Sequence, residues 1–194
     1  MLFFVGLAAV FTAMLMIPGS VQRFALIHSY IAEGAYYRLL TYQFVHLGVY
    51  HLLQNIAGLL LICLIASELR KDDNEFFLVY FLSGLAAAIP LWLLTRSSIL
   101  GASVAIYGAF GMHTVDVGRL SIKQWHVLLA IVALAIFQPM AELIAGMDFV
   151  GSLEQAMLHI SGLVFGYSAY LMIKLIRPFL ERKRLRCLRS CDES

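Results

Sequence analysis

Apolar runs broken by short polar stretches divide the chain into six segments, at about 1 to 18, 47 to 67, 76 to 95, 101 to 118, 125 to 145 and 156 to 177. Each is near the roughly 20 mainly apolar residues that a bilayer-spanning helix needs, and several sit at the short end. None alternates with a period of two. A sheet in lipid must also close into a barrel to satisfy its backbone, so the pattern predicts helices. The expected fold class is an all-α membrane protein, a six-transmembrane-helix bundle. Composition points the same way. Of 194 residues, 61% are hydrophobic and 13% charged, too little polar surface for a water-soluble domain of this length, so the solvent is largely lipid. The organisation expected is one transmembrane domain over 1–177 and a basic tail over 178–194, with no room for a second soluble domain.

Charge sets the expected orientation. Arg70 and Lys71 fall between the second and third segments, and Arg119 and Lys123 between the fourth and fifth. Lys174, Arg177, Arg182, Lys183, Arg184, Arg186 and Arg189 fall at or after the end of the sixth. Only Arg23, Arg38 and Arg96 lie on the other side. By the positive-inside rule both termini are cytoplasmic, and segments two, four and six run inward from outside. The stretch 19–46 becomes an outside loop. Its tyrosines (Tyr30, Tyr36, Tyr37, Tyr42) suit the headgroup level, so it is expected to lie along the membrane surface. The first segment has no Lys or Arg ahead of it, and Ile17-Pro18-Gly19 is no small-x-small cleavage site, so it reads as a retained span. Cys63, Cys187 and Cys191 form no framework of paired bridges. The basic residues sit beside a hydrophobic segment and imply affinity for anionic lipid, with no nucleic-acid partner.

Strongly polar groups inside spans are costly and mark function. The second segment opens with His46, His51 and Asn55, the last two sharing a helix face. The fourth opens with Gly101-Ala102-Ser103, with Ser103 two residues in, and the sixth carries His159 three to six residues in. All enter from outside, within ~10 Å of the same end at 1.5 Å per residue, and so can meet at one depth. Serine hydrolysis needs a base for the hydroxyl proton and donors for the oxyanion. Ser103 as nucleophile, His159 as base and the His51/Asn55 face as donors supply these parts. Tyr107, one turn after Ser103, is placed to hold the His159 ring where a triad would use a carboxylate. Gly162 and Gly166, facing Gly108 and Gly111, allow the fourth and sixth segments to approach closely. His28, His113 and His126 read as water-accessible residues of loops or span ends. Asp116 and Glu68, at the cytoplasmic ends, read as helix-packing residues or as local ion-pair partners of Arg119 and Arg70.

On these residues the chain resembles the rhomboid intramembrane serine proteases, in the compact six-span form of bacteria and archaea. Tyr37-Arg38 resembles that family's Trp-Arg pair. His46, His51 and Asn55 fall at its His-x4-His-x3-Asn spacing, Gly101-Ala102-Ser103 matches its Gly-x-Ser motif, and Tyr107 its following aromatic. His159-x-x-Gly162-x-x-x-Gly166 matches its last-span signature. The resemblance implies a rhomboid-like bundle in a prokaryotic inner (plasma) membrane with a Ser103/His159 dyad. It also implies an oxyanion site from the Ser103 N–H, His51 and Asn55, supporting roles for Arg38, His46, Gly101, Tyr107, Gly162 and Gly166, and transmembrane proteins as substrates. Val104 departs from the family's glycine after the nucleophile. That departure admits a narrowed substrate range, a specialised branch such as the rhombosortases, or a catalytically inactive relative that binds or retains transmembrane helices. A small proton-coupled transporter is the further rival, but no two-half duplication is visible. No metal, nucleotide or other cofactor is implied, and the sequence carries no signal for oligomeric state.

Overall fold

The structure is a computed structural model that describes residues 2–95, 98–116, 140, 144, 146 and 149–192. Among these every regular element is a helix. In chain order they are α1 (Leu2–Met16), α2 (Ser20–Phe24), α3 (His28–Ala32), α4 (Arg38–Thr41), a 3-10 turn (Tyr42–Phe44), α5 (Gly48–Glu68), α6 (Asp73–Thr95), α7 (Ser103–Thr114) and α8 (Phe149–Asp192). Among the described residues, three helices are long and apolar enough to cross a membrane, over Gly48–Glu68, Asp73–Leu94 and Phe149–Phe179, and α1 is a shorter apolar helix. The segment expected at 125 to 145 lies almost wholly outside the described residues.

The distribution of polarity is that of a protein dissolved in lipid. Leu53, Leu60 and Leu64 of α5, Phe77 and Leu94 of α6, and Val164, Met172 and Leu175 of α8 are exposed, while Asn55, Ser83, Thr114, Asp116 and His159 are buried. Apolar groups face outward because lipid accepts them. Polar groups turn inward because only protein can satisfy them there. At the centre stands α7, every residue of which after Ser103 is buried. Its Ala105, Ala109, Phe110 and Met112 form one core with Phe11 of α1, Leu59 and Ile62 of α5, Phe76 and Val79 of α6, and Leu163 of α8.

This helix is shorter than the span expected at 101 to 118. It has 12 residues, about 18 Å, and so cannot cross a ~30 Å hydrocarbon core alone. The chain descends toward it as irregular backbone, which is tolerated in a membrane protein where protein encloses it. Leu26 and Ile99 exchange both backbone hydrogen bonds as an isolated antiparallel bridge, at 2.9 and 3.0 Å. The Gly101 N–H then donates to the Tyr42 carbonyl at 2.9 Å. Leu26, Tyr42, Ala88, Trp92 and Ile99 form a second apolar cluster beneath the 19–46 loop. Tyr42 is therefore no surface tyrosine: it is fully buried, and its hydroxyl donates to the Gly84 carbonyl at 2.9 Å.

The far ends of the helices are also specified locally. The Lys71 N–H reaches the Ala66 carbonyl at 3.0 Å and the Arg70 N–H that of Ser67 at 3.2 Å, with Arg70 at φ 49°. This is a Schellman ending for α5 with arginine at the left-handed position that glycine usually takes. Asp72 then caps α6, its Oδ1 accepting the Asn74 N–H at 2.7 Å, and Asp73 and Glu75 suit the positive end of the helix dipole. At the other end of the chain, α8 starts at Phe149 and continues through Pro178 to Asp192, longer at both ends than the apolar run 156 to 177 suggests.

Candidate active site

Glycine decides how α7 and α8 meet. A Cβ on Gly162 would stand 2.4 Å from the Val104 carbonyl oxygen, and one on Gly166 would stand 1.9 Å from that of Gly108. A Cβ on Gly111 would fall 2.1 Å from the Leu163 carbonyl oxygen. Backbone lies directly on backbone, as small residues permit between membrane helices. The first two contacts are spaced four residues apart on both helices, so α7 and α8 run parallel. Three residues back from Gly162 is His159, level with the first turn of α7. A Cβ on Gly108 would collide with Ser83 Oγ of α6 at 1.8 Å and stand 3.4 Å from the Gly162 carbonyl oxygen, so α7 packs tightly on α6 as well as α8.

That register brings His159 to the Ser103 end of α7. The His159 ring is fully buried and stacks on Tyr107, with centroids 4.4 Å apart and planes 26° from parallel. Tyr107 lies one turn below Ser103 on the same face. Ser103 is the one residue of α7 that is not buried. It opens the helix, so its N–H and those of Val104 and Ala105 precede the first intrahelical bond, made by the Ile106 N–H to the Ala102 carbonyl at 2.9 Å. No side chain caps this end. Amides that take no part in the intrahelical ladder and the positive end of the helix dipole both favour a developing anion here.

His51 adds a directed donor. The Leu47 N–H points at His51 Nδ1, at 3.3 Å, which leaves the hydrogen of the neutral ring on Nε2. That edge of the ring lies against Gly101: a Cβ there would come within 2.7 Å of Cε1 and 2.8 Å of Nε2. Gly101 is also at φ +97°, so both backbone angle and space require glycine two residues before Ser103. Asn55 sits one turn below His51, buried, with Nδ2 donating to the His51 carbonyl at 2.8 Å. His46 is enclosed beside this pair, 4.9 Å from the Phe11 ring and 5.2 Å from His51. Burial, and then the neighbouring His51, push its pKa down to about 4.

Arg38 stands apart from this group. It is buried in the 19–46 loop, with Nη1 donating to the Ala25 carbonyl and Nη2 to that of Gln22, both at 2.8 Å, and its guanidinium lies 4.1 Å over the Tyr30 ring. Ala25 adjoins Leu26, which bridges to Ile99. Arg38 thus reaches the Ser103 loop only through the backbone that it clamps.

Two features depart from expectation, the helix positions of Ser103 and His159 and the burial of His113. Ser103 is not two residues into its helix but the first residue of it, and His159 lies well down a helix that begins at Phe149. The 98–102 segment leads into α7 as irregular backbone held by Leu26 and Tyr42, and the Tyr107–His159 stack lies one turn after Ser103. His113 is not water-accessible: it is 2% exposed, with Nδ1 2.6 Å from the Ala109 carbonyl oxygen. Asp116 pairs with Lys71 and with Lys174 (2.7 Å) and accepts a hydrogen bond from the Tyr170 hydroxyl at 2.9 Å, while Arg119 lies outside the described residues. The i, i+4 spacing of Tyr170 and Lys174 was a usable signal for that cluster. The Leu26–Ile99 bridge had none, because nothing local marks a pairing so distant in sequence.

Fold and site together define a membrane protein, helical among the described residues, in which a half-buried serine opens the central helix one turn from an aromatic-stacked, buried histidine. The Rhomboid domain family model matches residues 33–175, and the chain belongs to the rhomboid family. Rhomboid protease GluP of Bacillus subtilis (strain 168) is 33% identical over 84 residues, which is 43% of this chain. The chain covers 16% of that relative's length. The position that departs from the family pattern, Val104, is 2% exposed, and its Cγ1 lies 3.3 Å from where a Gly162 Cβ would be. Its side chain fills space between α7 and α8.

Proposed function

We propose that the chain is an intramembrane serine protease in which Ser103 and His159 form the catalytic dyad and transmembrane proteins are the substrates. The observation that carries the reading is the Tyr107–His159 stack one turn from Ser103, fixed by glycine contacts that set the register of α7 and α8. His159 takes the proton as Ser103 Oγ attacks the scissile carbonyl. The Ser103 N–H, His51 Nε2–H and Asn55 amide stabilise the oxyanion. His159 then passes its proton to the leaving amine, and a water, deprotonated by the same ring, releases the acyl group. Without a carboxylate behind His159, the Tyr107 face holds the ring plane. Packing of Val104 against Gly162 keeps its branched side chain out of the oxyanion position, which favours an active enzyme over an inactive relative.

In this account the six-span arrangement holds, with both termini cytoplasmic, the tail after 177 on that side, and cleavage near the outer face of a prokaryotic inner membrane. The test is cleavage of a tagged transmembrane substrate in membranes by the wild-type protein, Ser103→Ala and His159→Ala. Loss of cleavage in both variants is expected. Cleavage that survives both would exclude the dyad.

A further inference from the structure

In lipid no hydrophobic force draws one helix onto another, so contacts that permit close approach must be joined by contacts that hold it. The glycines of α7 and α8 do the first. At the end of α7 opposite Ser103, Asp116 does the second. Its carboxylate pairs with Lys71 of the α5–α6 turn and with Lys174 of α8 at 2.7 Å, and it accepts the Tyr170 hydroxyl at 2.9 Å. That hydroxyl in turn accepts from Lys71 Nζ at 2.7 Å. Lys71 and Asp116 are buried, with side chains 4% and 6% exposed, where charge must find protein partners. A buried ion pair adds little net stability, and its best-attested use is to specify which surfaces meet.

The pairing continues the line of glycine contacts. Val104 to Gly162, Gly108 to Gly166 and Asp116 to Lys174 are each 58 residues apart. His159, Gly162, Gly166 and Tyr170 follow one another at helical spacing along the buried face of α8. The tightest contact between the two helices is at Gly166, where an added Cβ would stand 1.9 Å from the Gly108 carbonyl oxygen. It lies near the middle, with His159 about 10 Å to one side and Lys174 about 12 Å to the other at 1.5 Å per residue. Across this stretch α8 is continuous helix, and its proline, Pro178, lies beyond it. The helix is therefore a lever across α7, with backbone contact at Gly166 as the fulcrum. Asp116 holds one arm. The other carries His159 onto the Tyr107 ring, centroids 4.4 Å apart, so a movement of about 1 Å at Lys174 becomes nearly as large a movement at the imidazole.

We infer that Asp116 is a positioning residue for the dyad: through Lys174 and Tyr170 it holds α8 at the angle that keeps His159 on Tyr107, one turn from Ser103. The effect on rate rests on the proposed proteolysis. The geometry does not, and is read separately. Stacking on Tyr107 moves the carbon-bound proton signals of the His159 ring upfield, and histidine-selective carbon-13 NMR of the full-length protein in detergent reads them. Their loss in His159→Gln assigns them. Tyr170→Phe with Lys174→Met removes both α8 partners but leaves Lys71 on Asp116, so no buried charge is stranded. The expected result is a folded protein whose His159 signals move downfield and whose kcat falls about tenfold or more with KM little changed. Lys174→Arg keeps the ion pair and should hold both readouts near wild type, as should Met172→Ala on the exposed side of α8. If the double variant does not fold, Lys174→Met alone, at a side chain 42% exposed, is read in its place for a smaller movement in the same direction. Unmoved His159 signals in the folded variant, or equal movement in Met172→Ala, would overturn the inference. Moved signals with kcat unchanged would overturn the positioning role. Moved signals in a protein whose wild type cleaves nothing would support the lever and remove the proteolytic reading.

Discussion

Replacing Gly166 by alanine perturbs the site without touching it. The added methyl would stand 1.9 Å from the Gly108 carbonyl oxygen, 2.4 Å from its carbon and 2.6 Å from its Cα. All three are backbone atoms and cannot rotate away. Ordinary contact begins at 3.4 Å, so α8 must move from α7 by about 1.5 Å, a gap of the size that already forfeits much of the dispersion attraction. Gly166 lies two turns beyond His159 on a continuous helix, so the displacement carries to the imidazole. A misplacement near 1 Å costs on the order of 100-fold in rate, while overpacking of this kind costs about 1–3 kcal/mol of stability. The expected result in purified protein is a kcat about 100-fold down with KM little changed, and a folded protein by thermal unfolding. Gly6→Ala, where the new methyl meets nothing within 4 Å, is the matched control. A folded Gly166→Ala protein with kcat within a few-fold of wild type would refute the claim that glycine contacts set the serine–histidine register.

Tyr107→Phe keeps the ring that stacks on His159 and should hold kcat within a few-fold. Tyr107→Ala removes it and should lower kcat about 10- to 100-fold, measured on the same substrate. Arg38→Gln strands the Ala25 and Gln22 carbonyls and should cost about 3 kcal/mol, read as a fall in unfolding midpoint larger than any fall in kcat of the protein that remains folded. His46 has its pKa lowered from 6.5 to about 4, so the unfolded chain binds more protons in that window and stability rises with pH across it. Unfolding midpoints should fall as pH drops from 6.5 toward 4, and His46→Gln should flatten that slope.

The sequence made some of this legible and left some of it out of reach, for physical reasons. His51 and Asn55 could be placed on one face because helical spacing is a local property, and Gly162 and Gly166 declared a close helix contact because only small residues permit one. The length of α7 was hidden. Its apolar run includes Gly101 and Ala102, which belong to irregular backbone held by Tyr42 and by the Leu26–Ile99 bridge, and hydropathy cannot distinguish buried loop from buried helix. His113 was misread for a related reason: a histidine near a helix end is usually wet, but this end is covered by Phe76, whose ring lies 6.1 Å away. The i, i+4 spacing places Tyr170 and Lys174 on one face of α8, but nothing local assigns that face, or Lys71 of the α5–α6 turn, to Asp116.

The central claim is that Ser103 is a nucleophile activated by His159. Labelling of the membrane-embedded protein with a fluorophosphonate probe, with the modified residue mapped by peptide mass spectrometry, tests it most directly. The account predicts one adduct, on Ser103, absent in Ser103→Ala and strongly reduced in folded His159→Ala. Undiminished labelling of Ser103 in His159→Ala, or no labelling of Ser103 in a wild-type protein shown to be folded, would contradict it.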